Sequence, residues 1–168
     1  MRLIAVLAVG LLAGCATIPQ SSNSPPQSVE FEVTPCFGSC PDFSITLTAG
    51  GTGTYTGRNF VKVKGTHQFT ASQAQVRAFF KRLAPFRPEG EVKYDYEHCP
   101  VPVSTDSPSV NVRWKAADGD DALNWYRGCR VPDLMDIRPD LYDAWKELPL
   151  DDLVGTAENR FQYQPQGS

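Results

Sequence analysis

The sequence predicts an α+β domain: an antiparallel sheet of hairpins with two amphipathic helices packed on one face. Three observations carry this. Apolar residues alternate with polar ones in several short runs, as in Val29, Phe31 and Val33 against Glu30, Glu32 and Thr34, which is the period of a half-buried strand. Two other runs repeat their apolar residues at helical spacing. The order is strands, helix, hairpin, helix, without the alternating βαβ units that a parallel sheet needs.

The elements follow in order. The first strand begins at Ser28 and ends before the turn Cys36-Phe37-Gly38-Ser39-Cys40-Pro41. Phe43, Ile45 and Leu47 then alternate with Ser44, Thr46 and Thr48, and the glycine-rich residues 49–53 break the run before Tyr55, so a hairpin is expected. Another strand is expected over residues 60–64, where Lys62 and Lys64 would discourage pairing at a sheet edge. Over residues 70–83 the period changes: Val76, Phe79, Phe80 and Leu83 form one helix face opposite Gln75, Arg77, Lys81 and Arg82, and Pro85 forbids continuation. Either Thr70 with Gln73 or Ser72 with Gln75 can close a capping box. Phe79 and Phe80 are expected in the core.

Residues 85–108 read as a long irregular connection with a short strand near Val92 to Tyr96, pinned by Cys99. Val110, Val112 and Trp114 alternate next. A two-residue Asp118-Gly119 turn would set Val112 opposite Trp125 and Trp114 opposite Leu123. Residues 131–137 suggest a short helical turn. Pro139 starts a second amphipathic helix through Leu141, Trp145 and Leu148. Residues 151–168 lose pattern and are expected to be a mobile tail.

Domain organisation is set by the first 27 residues. Arg2 followed by an apolar run from Leu3 to Leu12 is too short to span a bilayer and ends in Leu12-Ala13-Gly14-Cys15. This resembles the lipobox of bacterial lipoproteins, which implies a signal peptide over residues 1–14 and a diacylated, N-acylated Cys15. Acyl chains at about 0.8 kcal/mol per buried CH₂ anchor a protein without a transmembrane helix. Residues 16–27 are uncharged and rich in Ser, Pro and Gln, a flexible tether with an r.m.s. span of roughly 20 Å. Residues 28–150 make one domain. The formal net charge is −3, and −4 without Arg2, so no basic footprint for nucleic acid is present. The expected partner is the membrane, through the lipid. In a Gram-negative host, Ala16 after the cysteine resembles outer-membrane sorting, which implies the outer membrane facing the periplasm.

Four cysteines remain, Cys36, Cys40, Cys99 and Cys129; an even number in an exported chain reads as disulfides. Four cysteines allow three pairings, and spacing favours Cys36 with Cys40 and Cys99 with Cys129. Loop-closure entropy assigns the short loop about 2 kcal/mol and the long one about 3.7 kcal/mol. A redox dithiol would need a C-x-x-C pair at a helix start, and a zinc site built from these cysteines with His98 matches no usual ligand spacing. His67 and His98 lack a G-x-S-x-G partner and read as surface residues. Asp118, Asp120 and Asp121 read as a turn rather than a calcium loop. Asp95, Glu97 and Asp106 could be imagined as a glycosidase pair, but acidic loop residues are common. No catalytic residue, metal ligand or cofactor is expected.

Cys36-Phe37-Gly38-Ser39-Cys40-Pro41-Asp42-Phe43 resembles the CFGxCPxY signature of an uncharacterised domain family of bacterial secreted proteins and lipoproteins. Phe60-Val61-Lys62-Val63-Lys64-Gly65 and Thr105-Asp106-Ser107-Pro108 resemble later landmarks of that pattern. The resemblance runs from about Val29 to Trp145 and brings no activity with it. Phe43 stands where Tyr is common, and Cys99 and Cys129 are additions. The function expected is a membrane-anchored, non-catalytic binding or structural domain that recognises an envelope component. The alternatives are an envelope-acting enzyme or an inhibitor of a hydrolase that presents the Cys36 to Cys40 turn as a rigid loop.

Overall fold

The protein's structure, a computed structural model, describes residues 24–132, 135 and 138–160. The expected signal peptide, Cys15 and residues 16–23 of the tether lie outside the described residues, as do residues 161–168. Seven strands, β1 (Ser28–Val33), β2 (Asp42–Thr48), β3 (Thr52–Asn59), β4 (Gly65–Thr70), β5 (Glu91–Tyr94), β6 (Ser109–Ala116) and β7 (Gly119–Tyr126), form one sheet. Its order is β4-β3-β2-β1-β6-β7-β5, so β1 is central. The class is α+β, with a mostly antiparallel sheet.

The wholly antiparallel expectation fails at one edge, because β5 runs parallel to β7. Helix α1 (Gln73–Leu83) and a 3₁₀ turn at Ala84–Phe86 separate β4 from β5. The connection from β5 to β7 is residues 95–118, which hold β6, antiparallel to β7; two reversals restore the direction of β5, whereas a single tight hairpin pairs strands only antiparallel.

Alternation along the strands sorts side chains by face. Val29, Phe31 and Val33 are buried on β1, Phe43, Ile45 and Leu47 on β2, and Val110, Val112 and Trp114 on β6. Phe31 meets Phe79 of α1 edge-on with ring centroids 5.9 Å apart, and Phe43 meets Trp145 at 5.6 Å. Ser72 caps α1 and Gln75 completes the capping box, which chooses between the two starts open in the sequence.

Five local expectations are corrected. Residues 60–64 are not a strand; β4 starts at Gly65. Phe60 sits at φ 50°, which turns the chain out of β3, and Val61 is buried. The Lys62 and Val63 amides donate to the carbonyls of Val154 and Leu153, at 3.0 and 2.9 Å. Their alternation therefore serves the C-terminal segment. The lysines guard no edge strand, and Lys62 instead pairs with Asp152 at 3.0 Å.

The β6–β7 turn is Ala117-Asp118 rather than Asp118-Gly119, because Ala116 pairs with Gly119. Val112 therefore faces Leu123 and Trp114 faces Asp121. A register shift of two residues keeps every side chain on its expected face, and Gly119 takes the φ of 143° that a β-carbon would strain.

The second helix is broken into α2 (Arg138–Tyr142), a 3₁₀ turn at Ala144–Glu147 and α3 (Asp151–Val154). Pro149 cannot continue a helix, yet Leu141, Trp145 and Leu148 are all buried as their spacing requires. Residues 151–160 are also not structureless: Val154 is fully buried, and Tyr55 donates its hydroxyl to the carbonyls of Val63 and Leu153, at 3.2 and 3.3 Å. Burial pushes the Tyr55 phenol well above its ordinary pKa. Residues 24–27 are likewise bonded to the domain rather than loose, with Gln27 N donating to Lys115 O at 2.7 Å.

Candidate functional site

Burying one set of strand side chains sends the other set to the opposite face. Burial of Phe31 and Val33 leaves Glu32 between them pointing outward, and on β6 and β7 the same logic exposes Asn111, Arg113 and Asn124. The register aligns Ser44, Glu32, Asn111 and Asn124 in one cross-strand row.

A bulge completes that row. Asp42 pairs with Asn59 and Phe43 with Gly57, which leaves Arg58 as the extra residue on β3. A bulge re-aims the side chain it carries. Arg58 donates from Nε to Asp42 at 2.5 Å, from Nη2 to Glu32 at 2.8 Å and from Nη1 to Ser44 Oγ at 3.3 Å. Asn111 Nδ2 donates to the other oxygen of Glu32 at 2.8 Å, and Asn124 Nδ2 donates to Asn111 Oδ1 at 2.7 Å. Asn59 Nδ2 donates to Asp42 Oδ2 at 3.0 Å. One line of hydrogen bonds thus crosses five strands.

Above this line lies a groove of about 450 Å³, lined by Glu30, Glu32, Ser44, Thr46, Glu91, Lys93, Asn111, Arg113 and Asn124, among others. Its charges are paired side by side: Lys115 with Glu30 at 2.5 Å and Lys93 with Glu91 at 3.2 Å. The hydrogen bond to Glu30 raises the Lys115 pKa. Surface pairs of this kind are screened by water and contribute little, so a ligand can exchange partners with them at small cost. The face can offer amide, hydroxyl and carboxylate groups in a row about 5 Å apart per strand.

The residues singled out in the sequence do not converge on this face. Cys36 is bonded to Cys40 and Cys99 to Cys129, with Cα separations of 5.6 and 5.8 Å. His67 lies on β4, where its Nε2 is 3.1 Å from Lys64 O. His98 and Asp95 contact each other at 2.7 Å in the connection after β5, and Asp95 also accepts the amides of Glu97 and His98. The hydrogen bond from His98 holds the Asp95 carboxyl below its usual range. Asp106, at φ 67°, belongs to the same connection, and Thr105 donates to it at 2.9 Å. The Asp118 to Asp121 cluster disperses. Asp118 accepts the Ser24 amide and Asp120 lies 3.9 Å from Arg113. Asp121 is buried, pairs with Arg87 Nε at 2.6 Å and accepts the Gly90 amide at 2.8 Å. Among the described residues no group of three His, Cys, Asp or Glu side chains could hold a metal ion.

Sequence reasoning passed over Arg58, Asp42, Asn59 and Asn124. The outward phase of Glu32 and Asn111 was visible. The bulge that swings Arg58 toward them has no short-range signature. No curated protein and no solved structure gives a significant match to the chain. The model of the domain of unknown function DUF6438 matches residues 27–141, which takes in the whole sheet and the polar row across it, and the chain belongs to that family.

Proposed function

We propose that this chain is an envelope lipoprotein, acylated at Cys15, whose domain is a non-catalytic binding module. Its open sheet face takes a strand of the envelope's polar glycan and peptide polymer. In a Gram-negative host the anchor is in the outer membrane and the domain faces the periplasm. The observation that carries this reading is the row of Asn124, Asn111 and Glu32 that lines a groove of about 450 Å³, continued beyond the groove by Arg58 and Asp42. A row of donors and acceptors at strand spacing suits an extended ligand rich in amides and hydroxyls. The side-by-side pairing of charges favours binding over acid–base chemistry, which needs groups held apart in environment. The helical segments form a single layer on the other, apolar face; the Phe31–Phe79 and Phe43–Trp145 ring contacts support this two-layer packing.

The test uses the mature lipidated chain in detergent micelles and purified peptidoglycan as probe. The chain is expected to co-sediment, and replacing both Asn111→Leu and Asn124→Leu should weaken that at least about tenfold, or 1.4 kcal/mol, with the thermal midpoint checked in parallel. Equal sedimentation of both forms, or none by the wild type, defeats the sheet-face reading. Mass spectrometry of the mature N-terminus tests the anchor separately: an unmodified Cys15 or cleavage elsewhere sinks it.

A further inference from the structure

The exposed large hydrophobics among the described residues are Phe37 at 89%, Phe60 at 39% and Tyr96 at 55%. Strand directions place all three at one end of the sheet. β1, β3, β7 and β5 run toward that end, with Phe37 following β1, Phe60 following β3 and Tyr96 following β5. Scattered single hydrophobics are ordinary on a protein surface. Three aromatics on three different connections at one end are a pattern.

The backbone that carries each ring is also held in place. Phe37 sits inside the Cys36–Cys40 disulfide beside Gly38 at φ 147°. Phe60 is fixed between the end of β3 and buried Val61, whose successors bond to Leu153 and Val154. Tyr96 stacks on Tyr126 at 4.8 Å, and its connection is tied down by Cys99–Cys129 and by Ser104 N donating to Gly128 O. Backbone ordered before binding avoids part of the entropy a partner would otherwise have to overcome. From β3 to β5 the end spans five strand spacings, about 24 Å, which suits an interface of about 800 Å² per partner.

We infer that this end is a docking surface for a folded envelope protein, with Phe37 as the anchor that enters an apolar pocket on the partner. The choice of a protein over lipid follows from where the chain enters. Ser24 and Gln27 are bonded to Asp118 and Lys115 at the β6–β7 turn, the opposite end of the sheet. This step rests on the Cys15 anchor. Cys15 lies nine residues before Ser24 in the chain, so the end at which the chain enters is the one set toward the membrane, and the aromatic end faces away from it. The Cys36 to Pro41 loop also carries no charge, whereas peripheral lipid binding draws on basic residues.

The experiment places a photoreactive phenylalanine derivative at position 37 of the full-length chain in its own host, with the same group at exposed Arg77 as control. The expected result is a light-dependent adduct to one defined protein from position 37 alone. That protein, once identified and purified, should bind the mature chain, and Phe37→Ala should weaken binding at least about 30-fold, the threshold of an interface hot spot, without shifting the thermal midpoint. Adducts only to lipid or to a second copy of this chain overturn the proposal. So do the same adduct from position 77, or unchanged binding by Phe37→Ala. None of these outcomes touches the sheet-face test, so the two readings fail separately.

Discussion

Asp121 shows how far one side chain can depart from its neighbours in sequence. Asp118, Asp120 and Asp121 look alike in the chain, but only Asp121 has the inward phase of β7, opposite Trp114. A buried carboxylate needs partners that replace its lost hydration, and Arg87 with the Gly90 amide supplies them. Arg87 Nη1 also donates to Ser24 O at 2.9 Å, so the pair ties the chain entry to the sheet. Removing one member of a buried pair strands the other charge. Asp121→Ala is therefore expected to cost about 3–5 kcal/mol, and Asp120→Ala, exposed and 3.9 Å from Arg113, less than about 0.5 kcal/mol. Urea titration of both variants decides this; equal small losses would mean that the buried pair contributes nothing net.

At the scale of elements, α1 is the clearest case, because cap, face and stop were all written locally. Phe79 is fully buried and contacts both Phe31 and Phe80. Phe79→Ala should cost about 3–5 kcal/mol and exposed Arg77→Ala less than about 0.5 kcal/mol. Gln75 looks equally dispensable on the polar face, but its side chain accepts the Ser72 amide at 2.9 Å. Gln75→Ala should therefore fall between the two, near 1 kcal/mol. Chemical denaturation of the three variants should rank them in that order. Comparable small effects for Phe79 and Arg77 would remove the helical layer from the proposed architecture.

Over the whole molecule, the two disulfides do different work. Cys36–Cys40 closes four residues of sequence separation at the aromatic end. Cys99–Cys129 spans thirty and fastens the longest connection to the chain just after β7, beside the Val103–Cys129 bridge and the bond from Trp125 Nε1 to Cys129 O. Replacing both Cys99→Ala and Cys129→Ala should cost about 3.7 kcal/mol by loop-closure entropy, against about 2 kcal/mol for Cys36→Ala with Cys40→Ala. Thermal melts of the two double variants provide the comparison, and a larger loss from the short loop would contradict the chain-entropy account. Stability should depend more on Cys99–Cys129, while the docking proposed for Phe37 should depend on Cys36–Cys40.

What the sequence determined by itself was whatever short-range periodicity and stereochemistry control. Alternation placed Phe31, Ile45, Val112 and Trp114 inside and Glu32 and Asn111 outside; the Ser72 and Gln75 spacing offered a cap; Pro85 stopped the first helix. Cysteine spacing was enough to favour the pairs found. Tertiary structure alone decided what depends on two distant segments at once. Residues 60–64 carry a strand pattern, but the Lys62 and Val63 amides go to Val154 and Leu153, so no window around them could reveal the partner. The Ala117-Asp118 turn differs from the neighbouring choice by a shift of two residues, which leaves both faces unchanged and is therefore invisible to periodicity. β5 joined β7 in parallel because β6 intervenes between them in the chain and takes the other side of β7. The polar row needed Arg58, and a bulge in β3 is defined only by counting residues against β2. Patterns along a chain record which side of an element is buried; which partner buries it is a property of the assembled core.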